Sequence, residues 1–222
     1  KKFGVSVQTL IPYKRYNISP QIYKNTTFTV PIDFSSLALL LSAAVLNGEE
    51  IIVKGSIGNL PQGDEAFIDI LEQLGVKVTI NNEEIKIKSP EKLKGGRFDL
   101  SNSPDLLPPL AILALNTSNP IEIVNVKHAR LKETDRIAII SRELVKLGIK
   151  IQEKEDGLIL ETSENLIGAE LNSENDHRLF MAFCIAGMYI GDCIISDPES
   201  VRISYPNFIE EMNSLGAKIQ VQ

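Results

Sequence analysis

The 222-residue chain is 43% apolar and 23% charged, an ordinary globular composition that excludes a disordered tail, a disulfide mini-protein and a collagen-like rod. Its length suits one large domain or two small ones, and no apolar run approaches the roughly 18 residues of a membrane span. The net charge of −6, from 23 Lys and Arg against 29 Asp and Glu, argues against nonspecific nucleic-acid binding, but a cleft can still be locally cationic.

The chain opens without Met on Lys1-Lys2-Phe3-Gly4, which reads as the end of a helix, so the polypeptide is expected to be a fragment. No secretory leader is seen, and the cytoplasm is the expected compartment. Neither helical nor strand periodicity is sustained around Lys24-Asn25-Thr26. A seam is therefore expected there, with residues 1–26 the remnant of another domain and residues 27–222 a domain of their own. Asp33-Phe34-Ser35-Ser36 opens a short apolar helix, with Asp as N-cap. A strand over 50–53 follows, then a helix from Asp64 with Phe67, Ile70, Leu71 and Leu74 on one face. Gly75 stops it, Val76, Val78 and Ile80 alternate with polar residues, and Asn81-Asn82 turns the chain toward Ile85 and Ile87.

The same series then recurs. Asp105 opens an apolar helix whose first turn holds Pro108 and Pro109, where a missing N–H costs little. A strand over 121–124, a helix from Asp135 with Ile137, Ile140, Leu144 and Leu147, the stop at Gly148 and a hairpin turning at Asp156-Gly157 complete the second round. Asp176-His177-Arg178, a strand over 193–195, a helix from Asn207 with Phe208, Met212 and Leu215, Gly216 and one strand over 217–221 form the third. Cys184 and Cys193 fall in apolar stretches of this round and read as reduced and buried. The helix-stopping glycines, with a partial copy at Gly4, lie 71, 73 and 68 residues apart, and the aspartates opening the first helices lie 72 and 71 apart. The unit is thus strand, helix, strand, helix, hairpin, three times over: an α/β (α+β) fold of three βαβαββ repeats around buried parallel helices. Small residues such as Ala43, Ala44, Ala111, Ala114 and Ala182 suit close helix packing.

Polar residues collect at the helix N-termini, where free N–H groups favour anions. Lys127-His128-Ala129-Arg130-Leu131-Lys132-Glu133-Thr134-Asp135-Arg136 carries four cations and three carboxyl-bearing or imidazole side chains before an amphipathic helix. Alone it could be a solvated loop, Asn175-Asp176-His177-Arg178 a simple cap, and Asp105 a cap too. Together, arginines at helix starts of consecutive repeats beside Asp105, Lys132 and Glu133 offer planar forks for phosphate or carboxylate, with acids and bases close by.

Lys132-Glu133-Thr134-Asp135-Arg136 and Asn175-Asp176-His177-Arg178 resemble the two signature motifs of the 5-enolpyruvylshikimate-3-phosphate synthase family (3-phosphoshikimate 1-carboxyvinyltransferase). Asp33-Phe34-Ser35-Ser36, Gln62-Gly63-Asp64, Pro104-Asp105 and Ser204-Tyr205-Pro206 match in the same order. The resemblance covers the C-terminal half of a family member. It implies two domains of three βαβαββ copies with the active site between them, and a transferase of the shikimate pathway, which leads to chorismate and the aromatic amino acids. The implied reaction is enolpyruvyl transfer from phosphoenolpyruvate to the 5-hydroxyl of shikimate 3-phosphate, by addition and elimination, with no metal or organic cofactor.

By position, Asp105 resembles the carboxylate that contacts the shikimate hydroxyls and accepts a proton, and Glu133 the acid that protonates the enolpyruvyl methylene and later removes a proton. Lys132 would bind shikimate 3-phosphate, Arg136 and Arg178 phosphoenolpyruvate, and His128 would lie near the shikimate ring. His177 is expected to support the loop; Asp33, Ser35 and Ser36 to cap and pack. The chain departs from the family at Ile203, where a lysine contacting phosphoenolpyruvate is common, with Arg202 one residue earlier. The family's N-terminal cleft residues have no counterpart after Lys1. The expected partners are therefore the two substrates and the missing N-terminal half, in a monomer without nucleic acid or membrane. Two other readings compete: the sister transferase acting on UDP-N-acetylglucosamine, and a noncatalytic module binding phosphorylated metabolites.

Overall fold

The structure is a computed structural model, and it describes residues 2–48, 50–55, 62–81 and 83–221. The chain divides into two compact units, Lys1–Pro31 and Ile32–Gln222. In the first, strands β1 (Gln8–Ile11) and β2 (Arg15–Asn17) form an exposed antiparallel hairpin, with Tyr13 in the left-handed region at its turn.

The second unit carries the repeats. Its elements are α1 (Phe34–Leu46), β3 (Glu50–Lys54), α2 (Ala66–Gln73), β4 (Lys77–Ile80) and β5 (Glu84–Lys88), followed by β6 (Gly96–Asp99), α3 (Leu107–Leu113), β7 (Ile121–Val124), α4 (Arg136–Lys146), β8 (Lys150–Lys154) and β9 (Gly157–Glu161). The last are β10 (Glu170–Leu171), α5 (His177–Ile190), β11 (Ile194–Ile195) and α6 (Phe208–Ser214). Only the second repeat is complete among the described residues. Its sheet runs β6-β7-β9-β8, with β6 parallel to β7 and the hairpin antiparallel to it, in register Ile121 to Leu160 and Ile123 to Leu158.

The other two repeats use parts of that plan. The first has β3-β5-β4 without an opening strand, and the third has the parallel pair β10-β11 without a hairpin. Residues 27–31 form no strand; Pro31 has no N–H to give a ladder and Val30 is exposed. The strand expected over 217–221 is also absent. Among the described residues, the outer strand β8 of the second repeat pairs with the inner strand β9 alone, and the third repeat shows no such inner strand. Instead Ile219 donates its N–H to Asn213 Oδ1 at 2.8 Å and accepts from Asn213 Nδ2 at 2.9 Å. The Asn81-Asn82 turn falls partly outside the described residues, since Asn82 is not among them.

Helices α1, α3 and α5 pack against one another, and all seven residues of α3 are buried. Their all-round apolar sequences need cover on every side, which explains why they form the centre while the amphipathic α2 and α4 lie against β4 and β8. Ser42, fully buried in α1, bonds Ala38 O and Pro109 O of α3. Helix α4 must stop at Gly148, whose φ is +94° and whose hydrogen lies where a Cβ would sit 2.5 Å from Asn165 O. Cys184 is buried, whereas Cys193 is half-buried rather than fully buried as the sequence suggested; both are free thiols. An apolar groove of about 1160 Å³ opens between α1, α5, β11 and residues 217–221. Among the described residues no helix is long and apolar enough to cross a membrane.

Candidate active site

The three first helices of the repeats begin differently, and that difference builds the site. Asp33 caps α1 through the N–H groups of Ser35 and Ser36, and Asp176 caps α5 through those of Arg178 and Leu179. Asp105, at the corresponding place, is no cap, contrary to the sequence reading. It sits in a single 3₁₀ turn (Pro104–Leu106) ahead of α3, and three residues on stands Pro108, which has no N–H to donate. Its carboxylate is left to bind side chains from its own repeat and the next.

It binds three of them. Asp105 Oδ1 lies 2.8 Å from Arg136 Nη1 and 3.2 Å from Lys132 Nζ, and Oδ2 lies 3.5 Å from Arg178 Nη2. Arg136, the first residue of α4, is wholly buried, and three carboxylates bind its three nitrogens. Its Nε donates to Asp176 Oδ2 at 2.7 Å and its Nη2 to Glu133 Oε2 at 2.6 Å and Asp176 Oδ1 at 3.2 Å. Thr134 donates to the same Asp176 carboxylate. Burial of this kind is tolerable only when every donor is paired.

Five of the six residues read from the sequence as site residues therefore share one ionic cluster: Asp105, Lys132, Glu133, Arg136 and Arg178. His128 does not join it. It is exposed on the 3₁₀ turn Lys127–Leu131 and makes no hydrogen bond among the described residues. Arg202 is likewise apart, its Nε paired with Glu199 at 2.9 Å on an exposed surface, and Ile203 is exposed.

Sequence reasoning missed Asp176 as a partner of Arg136, because an Asp before a helix already has an explanation as a cap. It also missed Asp64, whose carboxylate takes the Ser35 hydroxyl. Burial pushes the Asp64 carboxyl up; the Ser35 bond opposes this, and the negative charge of Asp105 adds to it. For Asp105 burial acts in the same direction, yet Arg178, Arg136 and Lys132 outweigh it and hold the carboxyl below its ordinary range. Burial lowers His177, whose Nδ1 is buried without a hydrogen-bond partner among the described residues. The imidazole beside Arg178 is thus neutral near pH 7.

The cluster contains three cations and the carboxylates Asp105, Glu133 and Asp176, so it is close to charge balance. It offers a partly exposed acceptor, Asp105, next to a half-exposed acid, Glu133, over a fixed guanidinium. Such a rim can exchange protons with a bound molecule and orient its anionic groups. Among the described residues no group of three or more His, Cys, Asp or Glu side chains is placed to hold a metal ion. The apolar groove contains no member of the cluster; the chemistry lies with the charges.

Comparison with known proteins gives the family and the fold. The EPSP synthase family (3-phosphoshikimate 1-carboxyvinyltransferase) matches residues 1–212. A 3-phosphoshikimate 1-carboxyvinyltransferase of Nitrosopumilus maritimus (strain SCM1) is 83% identical over 220 residues, covering 99% of this chain and 52% of that protein. One from Methanococcus vannielii is 40% identical over 224 residues, again covering 52% of the relative. Among solved structures, EPSP synthase from Acinetobacter baumannii superposes with a TM-score of 0.84 at 29% identity, covering 100% of this chain and 54% of the other. The enolpyruvyl transferase NikO from Streptomyces tendae shares the fold with a TM-score of 0.77 at 19% identity, over 99% of this chain and 51% of its own. The chain spans about half the length of the curated relatives it matches. With the motifs, the repeats and the sequence match in agreement, the chain belongs to the EPSP synthase family.

Proposed function

We propose that this chain is the C-terminal half of an enzyme that transfers the enolpyruvyl group of phosphoenolpyruvate to the 5-hydroxyl of shikimate 3-phosphate, releasing phosphate, in the cytoplasm and as a monomer. Residues 27–222 would form one wall of the cleft, and residues 1–26 would belong to the other lobe. The observation that carries this reading is the single carboxylate of Asp105 shared by three cations from two repeats.

In the proposed reaction Asp105 accepts the proton of the 5-hydroxyl as its oxygen attacks C2 of phosphoenolpyruvate, while Glu133 delivers a proton to C3. The tetrahedral adduct then loses a proton from the new methyl group to Glu133 and expels phosphate, leaving the enol ether. Lys132 would hold shikimate 3-phosphate and Arg178 the charged groups of phosphoenolpyruvate; Arg136, read from the sequence as a second phosphoenolpyruvate ligand, would reach it only once Asp105 or Glu133 releases its guanidinium. Fixed positive charge beside C2 stabilises the adduct without reorganisation during the step.

Electrostatics also explains why half an enzyme would not suffice. Both substrates are multiply anionic, whereas the cations of this cluster are already matched by carboxylates, so further cations must come from the other half. The test joins the 222 residues to the first half of the Nitrosopumilus relative and follows phosphate release from both substrates. The joined enzyme should turn over and the chain alone should not. Steady release by the chain alone would refute the half-enzyme reading, and calorimetry showing UDP-N-acetylglucosamine bound in preference to shikimate 3-phosphate would refute the substrate.

A further inference from the structure

The segment that carries Lys132 and Glu133 is exposed and has no secondary structure of its own. Leu131 beside it is 87% exposed. Long side chains on such a segment would ordinarily sample many rotamers, yet Lys132 and Glu133 meet Asp105 and Arg136 at bonding distance. Arg136 anchors the far end, being the first residue of α4. The near end is fixed by a residue that touches none of the reacting groups.

That residue is Arg130, last but one in the 3₁₀ turn Lys127–Leu131. Its Nε donates to Glu155 O at 2.9 Å, Nη2 to Lys154 O at 2.7 Å and to Glu153 Oε1 at 2.8 Å. Nη1 donates to both oxygens of Asp135, at 2.9 and 3.1 Å. All three nitrogens of the guanidinium thus have partners, and its side chain is 21% exposed. Three partners lie on the β8–β9 hairpin, while the fourth, Asp135, is the N-cap of α4 through Ala138 N–H at 3.0 Å. Arg130 therefore ties together the start of the segment, its end, and the rigid hairpin behind it. Lysine could make one or two of these bonds but not the planar set.

We infer that Arg130 is a positioning residue for Lys132 and Glu133: it holds the segment 131–134 so that Lys132 meets Asp105 and Glu133 meets Arg136. This rests on the enolpyruvyl-transfer reading above. The inference separates the two substrates. Arg178 comes from α5, and Arg136 is gripped by Asp176, so neither depends on the staple. Lys132 and Glu133 do.

The experiment uses the joined enzyme, with Arg130→Met and the milder Arg130→Lys. Arg142→Met, which breaks ion pairs with the buried Glu143 and the exposed Glu174 away from the cluster, is the control for lost stability. In Arg130→Met, kcat should fall on the order of 100-fold and KM for shikimate 3-phosphate rise roughly 10-fold, with KM for phosphoenolpyruvate within about twofold. Arg130→Lys should show the same split at a smaller size, which keeps the test open if the methionine variant fails to fold. Kinetic constants within about twofold of the unsubstituted enzyme in Arg130→Lys, or the same pattern in Arg142→Met, would overturn the inference. An unsubstituted joined enzyme with no phosphate release would instead sink the functional reading.

Discussion

Two carboxylate clusters within the repeats make an instructive pair. Glu143, in the middle of α4, is 1% exposed and bound by Lys146 Nζ, Arg142 Nε and the N–H of Asn172. It joins the helix to the third repeat, and its cations reach out to water. Asp105 is the reverse: the carboxylate is partly exposed, while its chief cation, Arg136, is sealed below it. In both, burial raises the acid and neighbouring cations and donors more than offset it. The difference lies in which partner keeps access to solvent. An exposed cation over a buried carboxylate can only hold structure, whereas an exposed carboxylate over a buried cation can also exchange a proton.

The strongest way to break this contrast is to remove the cation. Arg136→Met leaves Asp176, itself fully buried, without its ionic partner, and should cost about 3–5 kcal/mol in urea unfolding of the 222-residue chain. A loss under about 1 kcal/mol would mean that the cluster is not sealed as described. Next, Asp105→Asn should lower turnover of the joined enzyme about 10²–10⁴-fold while changing stability by less than about 1 kcal/mol, because the amide oxygen can still accept from Arg136 Nη1 and two carboxylates stay on the guanidinium. Glu143→Gln should do the opposite: about 1–3 kcal/mol of stability, from the charged acceptor lost to Asn172, with kcat unchanged.

Acid titration sharpens the same contrast. The folded values of Glu143 and Asp105 lie below the ordinary carboxylate range near roughly 4, so their stabilisation is present above that range and is lost as pH falls through the lower folded values. Asp64 is raised and acts in the other sense: its contribution is present below the ordinary range and fades as pH rises through its folded value. Urea midpoints from pH 3 to 8 should therefore show a shallower acid limb in Glu143→Gln and a gain at neutral pH in Asp64→Asn. The smallest effect is expected for Pro108→Ala. It restores a backbone donor three residues after Asp105, and should leave stability within about 1 kcal/mol while weakening shikimate 3-phosphate binding.

Much of this was legible in the residues, for local reasons. Asp33 and Asp176 cap because the N–H groups two and three residues on are free, and Gly148 ends α4 because its backbone must adopt a positive φ. Asp105 misled for an equally local reason: Pro108 withholds one of those donors. What could not be read were pairings across repeats. Asp176 to Arg136 spans 40 residues, and Glu143 to Asn172 spans 29; neither leaves a periodic trace. His128 lies within the charged segment, but its turn faces it to solvent.

The third repeat's open β-edge bears on how the protein behaves in a tube. Among the described residues strand β11, which carries the exposed Ile194, pairs with β10 alone, and the adjoining residues 217–221 alternate in the manner of a strand without being one. Such an edge accepts any extended chain on offer. At raised concentration the 222 residues should pair edge to edge, giving light scattering that Ile194→Lys abolishes.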